Sequence, residues 1–345
     1  MDYTNYIVEQ FQALAAIPSP SGMTRDAAEY TKAAFEALGY KACLTRKGGV
    51  LVELGGVGEP VVLSAHLDTL GAMVAEIKGN GALRLSRIGG LDANNVETEN
   101  CTIYTRSGKK VGGTCQLINA SIHVNFKYGE TKRDFDTVEI LLDEKVNSRE
   151  DTEKLGVAVG DYVCFDPRTV YTETGFLKSR FLDDKLSVAA LLALARYIKD
   201  TGAKLKRKAY VYVTVYEEIG HGACASIPED AVEIISVDMG CVGEGLACRE
   251  TQVSICAKDS SGPSDFYVTN ALIECAKKAK VDYAVDIYPG YGSDADAALR
   301  AGYDMRHCVV GAGVYASHGY ERTHRDGIKA TFDLLRAYLL EEKEK

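Results

Sequence analysis

The stretch VYVTVYEEIGHG at 211–222 sets two adjacent glutamates, Glu217 and Glu218, at the end of an apolar, β-branched run. Neighbouring side chains on a strand point to opposite faces, so two consecutive carboxylates cannot both be comfortable on a strand covered on both sides. Either the strand simply ends at Tyr216 and both carboxylates sit in water, or the two work as a pair. Other residues of the same chemistry bear on the choice. His66 ends VVLSAHLDT two residues before Asp68. Both side chains then leave one face of an extended chain, and an Asp at that spacing can hold the second ring nitrogen of a metal-ligating imidazole. Asp183 and Asp184 open a helix after RFL, and Asp238 ends another strand, IISVDMG.

Open α/β sheets gather their strand ends in a single crevice, so these acidic groups would crowd together. Crowding is costly, because like charges raise each other's pKa and desolvation adds to the effect. Two divalent cations would relieve it. One carboxylate bridging two ions, with one histidine and one further carboxylate for each, leaves a place for water at both. Zinc or cobalt suits such a mixed set of imidazoles and carboxylates, whereas magnesium favours oxygen alone. One glutamate is then left over, in position to act as a general base.

The elements that must position these residues read as an α/β domain with an interruption. Helical periodicity appears at 3–16 and 24–38, with PSPSG as a turn between them. Strand-like runs follow at 49–54 and 61–67. From Met73 to Phe176 the texture changes to short alternating strands with Gly, Asn and Asp punctuation, as in a small β-barrel or sandwich, with one helical candidate at 148–156. The α/β pattern resumes with a helix at 183–200. Strands at 208–216, 232–239, 253–258, 283–288 and 306–310 then alternate with helices at 264–279, 293–301 and 327–343. The expected fold is a mixed-sheet α/β catalytic domain, residues 1–72 and 177–345, interrupted by a small β-barrel-like domain at 73–176.

Composition narrows the class. The 345 residues are 46% hydrophobic and 26% charged, values of a soluble globular protein. A net charge of −9 argues against nucleic acid or an anionic membrane as the main partner. The ten cysteines are scattered without a CxxC pair, which argues against a thiolate zinc site or a disulfide framework. With no basic-then-apolar leader at the start and no apolar run long enough to span a bilayer, the expected location is cytoplasmic.

The order AHLDTLG, SREDTEKLGVAVGD, FLDDK, YEEIG, VDMG, GSDADAA and ERTH resembles the tetrahedral (TET) metallo-aminopeptidases, which include glutamyl and leucyl aminopeptidases and members once labelled endoglucanases. The resemblance covers nearly the whole chain. It implies a metal-dependent aminopeptidase that removes N-terminal residues from peptides with two co-catalytic ions, Zn2+ or alternatively Co2+. By the same resemblance His66 and Asp238 are ligands of one ion, Glu218 and His324 of the other, and Asp183 bridges them. Glu217 is the general base and Asp68 the partner of His66. The β-rich insert looks like the family's dimerisation domain, which implies dimers assembled into a dodecameric shell.

Two departures touch the substrate side. His221 follows Ile219-Gly220 where the family commonly has leucine and arginine, and GAGVYASHGYERTH is longer than the usual loop before the last ligand. His318 could line the substrate pocket or be merely solvated, and His221 could contact substrate or only pack. His123 and His307 read as structural, and Ser293-Asp294 could orient groups behind the site or merely cap the helix that follows, capping being the default. Two alternative functions remain at this level: a related dinuclear carboxypeptidase or deacylase, and a shell-forming binding protein without activity. The insert lies between His66 and Asp183, whereas relatives acting on C-terminal residues or acyl groups usually carry their second domain after the glutamate ligand.

Overall fold

The computed structural model describes residues 1–341, which form two compact units. One comprises Met1–Asp68 with the described residues from Arg168 onward, and the other Thr69–Pro167.

The first unit opens with α1 (Tyr3–Ala15), whose Asp2 cap accepts from the amides of Thr4 and Asn5. That satisfies donors a helix N-terminus otherwise leaves free. Helix α2 (Arg25–Ala37) and strands β1 (Ala42–Leu44), β2 (Val50–Gly55) and β3 (Val61–His66) follow. The second unit holds β4 (Gly71–Ile77), β5 (Leu83–Ile88), β6 (Asn100–Tyr104), β7 (Lys110–Leu117), β8 (Val138–Leu142), α3 (Arg149–Lys154) and β9 (Tyr162–Phe165). The chain then returns to the first unit. There it forms β10 (Val170–Tyr171), β11 (Phe176–Ser179), α4 (Leu182–Thr201), β12 (Ala209–Thr214), β13 (Glu233–Val237) and β14 (Gly240–Val242). After these come β15 (Val253–Lys258), α5 (Phe266–Ala279), β16 (Tyr283–Ile287), α6 (Asp294–Arg300), β17 (Arg306–Tyr315), β18 (Glu321–His324) and α7 (Arg325–Leu339).

The large sheet runs β1-β2-β12-β3-β13-β17-β18-β11-β10, with β14 and β15 also on β17 and β16 on β15. It is mixed: β12, β3, β13 and β17 are parallel at its centre, and β2, β15 and β18 flank them antiparallel. Every residue of β3, β12 and β13 is buried, as a parallel core covered on both faces requires. In register, His66 stands opposite Thr214, and Ser64 opposite Ser236. The carboxyl ends of β3, β12 and β13 therefore lie side by side, where open α/β sheets form their crevice. Gly311 of β17 makes that edge tight. A Cβ there would stand 1.4 Å from the Asp238 carbonyl oxygen, so no larger residue fits beside this strand end.

Helix α4 anchors the site from one face of the sheet. Leu186, Leu191, Leu192 and Leu194 are buried in the main core, and truncating one of them, such as Leu191→Ala, costs about 2–5 kcal/mol. Its first turn is irregular, with non-helical Asp183 and Asp184 and a cis peptide between them.

The second unit is a closed barrel in the order β4-β5-β8-β7-β6-β9, around its own core of Leu83, Leu85, Ile103, Cys115, Ile140 and Val163. Closure removes the exposed strand edges that an open sheet would present. The barrel unit begins at Thr69 and ends at Pro167, whereas the change of texture in the sequence suggests 73–176. The difference at the C-terminal side is residues 168–176, which hold β10 and the first residue of β11. These short alternating strands resemble the barrel's in sequence but pair with β18 in the large sheet. All ten cysteines are free, and no helix of the described residues is long and apolar enough to cross a membrane.

Candidate metal centre and active site

Two sets of ligand atoms converge in the first unit. His66, Asp183 and Asp238 form one, Asp183, Glu218 and His318 the other, with the atoms of each set within 4.8 Å of one another. Asp183 is common to both. Its Oδ1 lies 3.0 Å from Nε2 of His66, and its Oδ2 3.5 Å from Nε2 of His318. Glu218 faces the same imidazole at 3.6 Å. Glu217 stands 3.6 Å from Nε2 of His66 through its Oε2, at the first set.

The adjacent glutamates share one site because the strand ends before them. Tyr216 adopts a left-handed conformation, φ 71°, and Glu217–Ile219 form a single tight helical turn instead of an extended run. Three charged residues hold this turn from different segments. The carboxylate of Asp68 accepts the amides of Glu217 and Glu218 at 3.0 and 3.3 Å, and the hydroxyl of Ser21 at 2.5 Å. The ammonium of Lys47 donates to the carbonyls of His221 and Gly222. Asp294 accepts the amide of Ala223 at 2.8 Å and the hydroxyl of Thr214 at 2.6 Å. Gly222 is required there, since a Cβ would stand 2.0 Å from Oδ1 of Asp294.

Burial makes this cluster electrostatically unbalanced. Desolvation first, and neighbouring carboxylates after it, pushes Glu217, Glu218 and Asp184 well above the ordinary carboxyl range. The same causes raise Asp238 to about 7. Asp183 goes the other way: burial raises it, but hydrogen bonds from His318 and His66 outweigh burial and hold it low. For both imidazoles burial favours the neutral form, and the Asp183 carboxylate overrides it, lifting His66 well above its usual value and His318 to about 10. The buried carboxylates thus favour positive charge at both imidazoles. Divalent ions would take the same imidazole nitrogens and carboxylate oxygens in place of protons, so the donor set fits such ions.

The structure brings His66, Asp183, Glu217, Glu218 and Asp238 together, but His324 lies elsewhere. Its Nε2 is 2.9 Å from the Thr174 carbonyl, and its Nδ1 accepts the amide of Asp326 at 3.2 Å, capping α7. Strand β18 causes this, because its pairing with β11 sets His324 opposite Phe176, away from the ligands. The assignment of His324 is therefore corrected: His318 supplies the imidazole of the second set. Asp68 does partner His66, but through its backbone: its carbonyl lies 2.9 Å from Nδ1, while its carboxylate oxygen is 3.7 Å away. Asp184 accepts the His66 amide at 3.1 Å, which fixes the backbone of that ligand. His221 stacks on Tyr216, with ring centroids 5.1 Å apart.

One buried carboxylate escapes a reading of the sequence, and a second takes the less expected of its two roles. Glu321 accepts the amides of Asp183 and His318, each at 3.2 Å, and is buried. Asp294, for which orienting a neighbouring group is the second of two readings, fixes the turn after the glutamate pair. In both, a carboxylate on a regular element gives no local signal of what it will meet.

A mixed α/β sheet with histidines and carboxylates paired in two sets at its carboxyl edge defines a metal-dependent hydrolase. The profile of the M42 glutamyl aminopeptidase family matches residues 48–334, and the chain belongs to that family. It is a metal-dependent aminopeptidase. YhfE of Bacillus subtilis (strain 168) is 43% identical over 334 residues, covering 96% of each chain. The glutamyl aminopeptidase of Lactococcus lactis subsp. cremoris is 24% identical over 334 residues, 91% of this chain and 90% of that one. Among solved structures, an aminopeptidase of the archaeon Desulfurococcus kamchatkensis superposes with a TM-score of 0.87 at 19% identity, over 98% of this chain and 95% of that chain. The Pyrococcus horikoshii TET1 peptidase, which assembles into a tetrahedron or a large octahedral shell, gives 0.85 at 20% identity, over 97% of this chain and 100% of its own. At these identities the structural likeness carries the fold.

Proposed function

We propose that this aminopeptidase works with two divalent ions held by five side chains: His66 and Asp238 for one, Glu218 and His318 for the other, and Asp183 between them. The observation that carries this reading is the position of Asp183, with one carboxylate oxygen toward His66 and the other toward His318. Zinc suits the donor set, and cobalt is its alternative. When bound, the ions would supply Lewis acidity at the scissile carbonyl and lower the pKa of the attacking water.

The chain's own groups do the rest. Glu217, at the edge of the first set, takes the proton of the attacking water and returns it to the leaving amine. Asp68 keeps Glu217 and Glu218 in register by holding both of their amides. Lys47 and Asp294 fix the far side of the same turn, so the base cannot swing away. The substrate is a peptide with a free N-terminus.

The barrel unit serves self-association, first as a dimer and then as a dodecameric shell. The resemblance in sequence order and the assembly of the structurally similar TET1 peptidase support this reading. The ten scattered free cysteines support a cytoplasmic location.

The test is hydrolysis of aminoacyl-nitroanilides by protein loaded with zinc or cobalt, against N-acetylated controls. Free-amine substrates are cleaved, a chelator stops the reaction, and added metal restores it. Preference for the blocked substrates contradicts the reading.

A further inference from the structure

Glu321 opens β18 with its side chain almost fully buried, at 2% exposure. Its two oxygens serve two segments far apart in sequence. Oε2 accepts the amide of Asp183 and Oε1 the amide of His318, both at 3.2 Å. Asp183 belongs to both ligand sets, whereas His318 belongs to the second alone.

His318 has reason to need such a hold. It has φ 62° and Ala316 has φ 60°, left-handed conformations that non-glycine residues adopt at a cost. The turn is pinned by the Glu321 carboxylate at the His318 amide and by Arg180, whose Nη1 donates to the Gly319 carbonyl at 3.4 Å. A carboxylate is the side chain suited to this task. Both oxygens accept, so two amides on different segments can be held at once. Glutamine keeps the shape but turns a donor toward one of the two N–H groups.

We propose that Glu321 is a positioning residue for the Glu218–His318 ion site, fixing the His318 backbone against that of Asp183. Occupancy of the Glu218–His318 site depends on it, and occupancy of the His66–Asp238 site depends on it much less. The proposal rests on the two-ion reading above.

The experiment titrates chelator-stripped parent, E321Q and H318A with Co2+ alone, following heat and the visible absorption of the bound cobalt. The parent takes up two ions, and H318A identifies which of the two steps belongs to the His318 site. In E321Q that step weakens about 10–100-fold, the range for loss of a group that orients a ligand. Its absorption band changes with it, and the other step stays within about threefold. An unchanged His318 step, or equal weakening of both, overturns the proposal. Should E321Q fail to fold, E321D decides. It keeps the carboxyl group but, one methylene shorter, cannot span both amides, so the same selective weakening is expected and an unchanged His318 step overturns the idea. A parent that binds fewer than two ions sinks the two-ion reading itself, which separates that failure from this one.

Discussion

His66 and Asp183 are 117 residues apart in sequence, yet Nε2 of one stands 3.0 Å from Oδ1 of the other. The first closes a central parallel strand and the second opens the helix that covers it, so the large sheet and α4 meet at this contact. Because Asp183 also reaches His318, both candidate ligand sets inherit their geometry from the start of α4.

The two C-terminal histidines separate in a direct comparison. H318A removes a ligand, so uptake of one ion falls by at least about 100-fold and kcat/KM falls with it. H324A removes the cap of α7, costs about 1 kcal/mol of stability and leaves kcat/KM within about threefold. Metal titration, thermal melting and steady-state kinetics on the two variants check both outcomes. Loss of an ion in H324A with none lost in H318A would restore the assignment made from sequence resemblance.

In the proposed mechanism Glu217 is the base and Glu218 a ligand. E217Q keeps both ions but loses the proton acceptor, so kcat drops by about 10²–10⁴ with little change in metal content. E218Q loses affinity for one ion as well. Elemental analysis beside kinetics distinguishes them, and an E217Q protein missing an ion would reverse the roles.

How much of this the sequence discloses depends on the range of the interaction. The helix at 183–200 and the strands at 208–216 and 232–239 are legible because a buried stripe or a continuous apolar run is a local pattern. The acidic strand ends are legible because charge is out of place there. His318 and His324 sit in one segment, YASHGYERTH, and only the left-handed turn at His318 and the pairing of β18 with β11 decide which imidazole reaches Asp183 and Glu218. Glu321 and Lys47 act on backbone groups more than a hundred residues away, at 183 and at 221–222, and no local pattern encodes such partners.

Away from the metal centre, Asp296 and Asp259 form a buried acid pair. Asp259 accepts the amides of Ser261 and Gly262, and Asp296 that of Ser293. Burial first, then the hydrogen bond with Asp259, raises Asp296 from 3.8 to about 6, against a smaller opposing effect of Arg300. An acid raised in the folded state stabilises most below its unfolded value, and that contribution is lost as pH rises through the folded value. Stability from this group therefore declines between pH 4 and pH 6 and is level above. D296N removes the penalty and raises stability at pH 8 by about 1 kcal/mol, with solvent screening allowed for. It brings no gain at pH 4. Thermal melting at both values checks it, and equal gains at the two would point to packing instead.

In the proposed mechanism one carboxylate, Asp183, serves two ions. Equilibrium metal content after dialysis against micromolar zinc tests it most directly, on the parent protein and on D183N. The parent should hold two zinc ions per chain and D183N should lose both, while its fold persists by circular dichroism. A parent with a single ion, or a D183N protein that still holds two, would contradict the account.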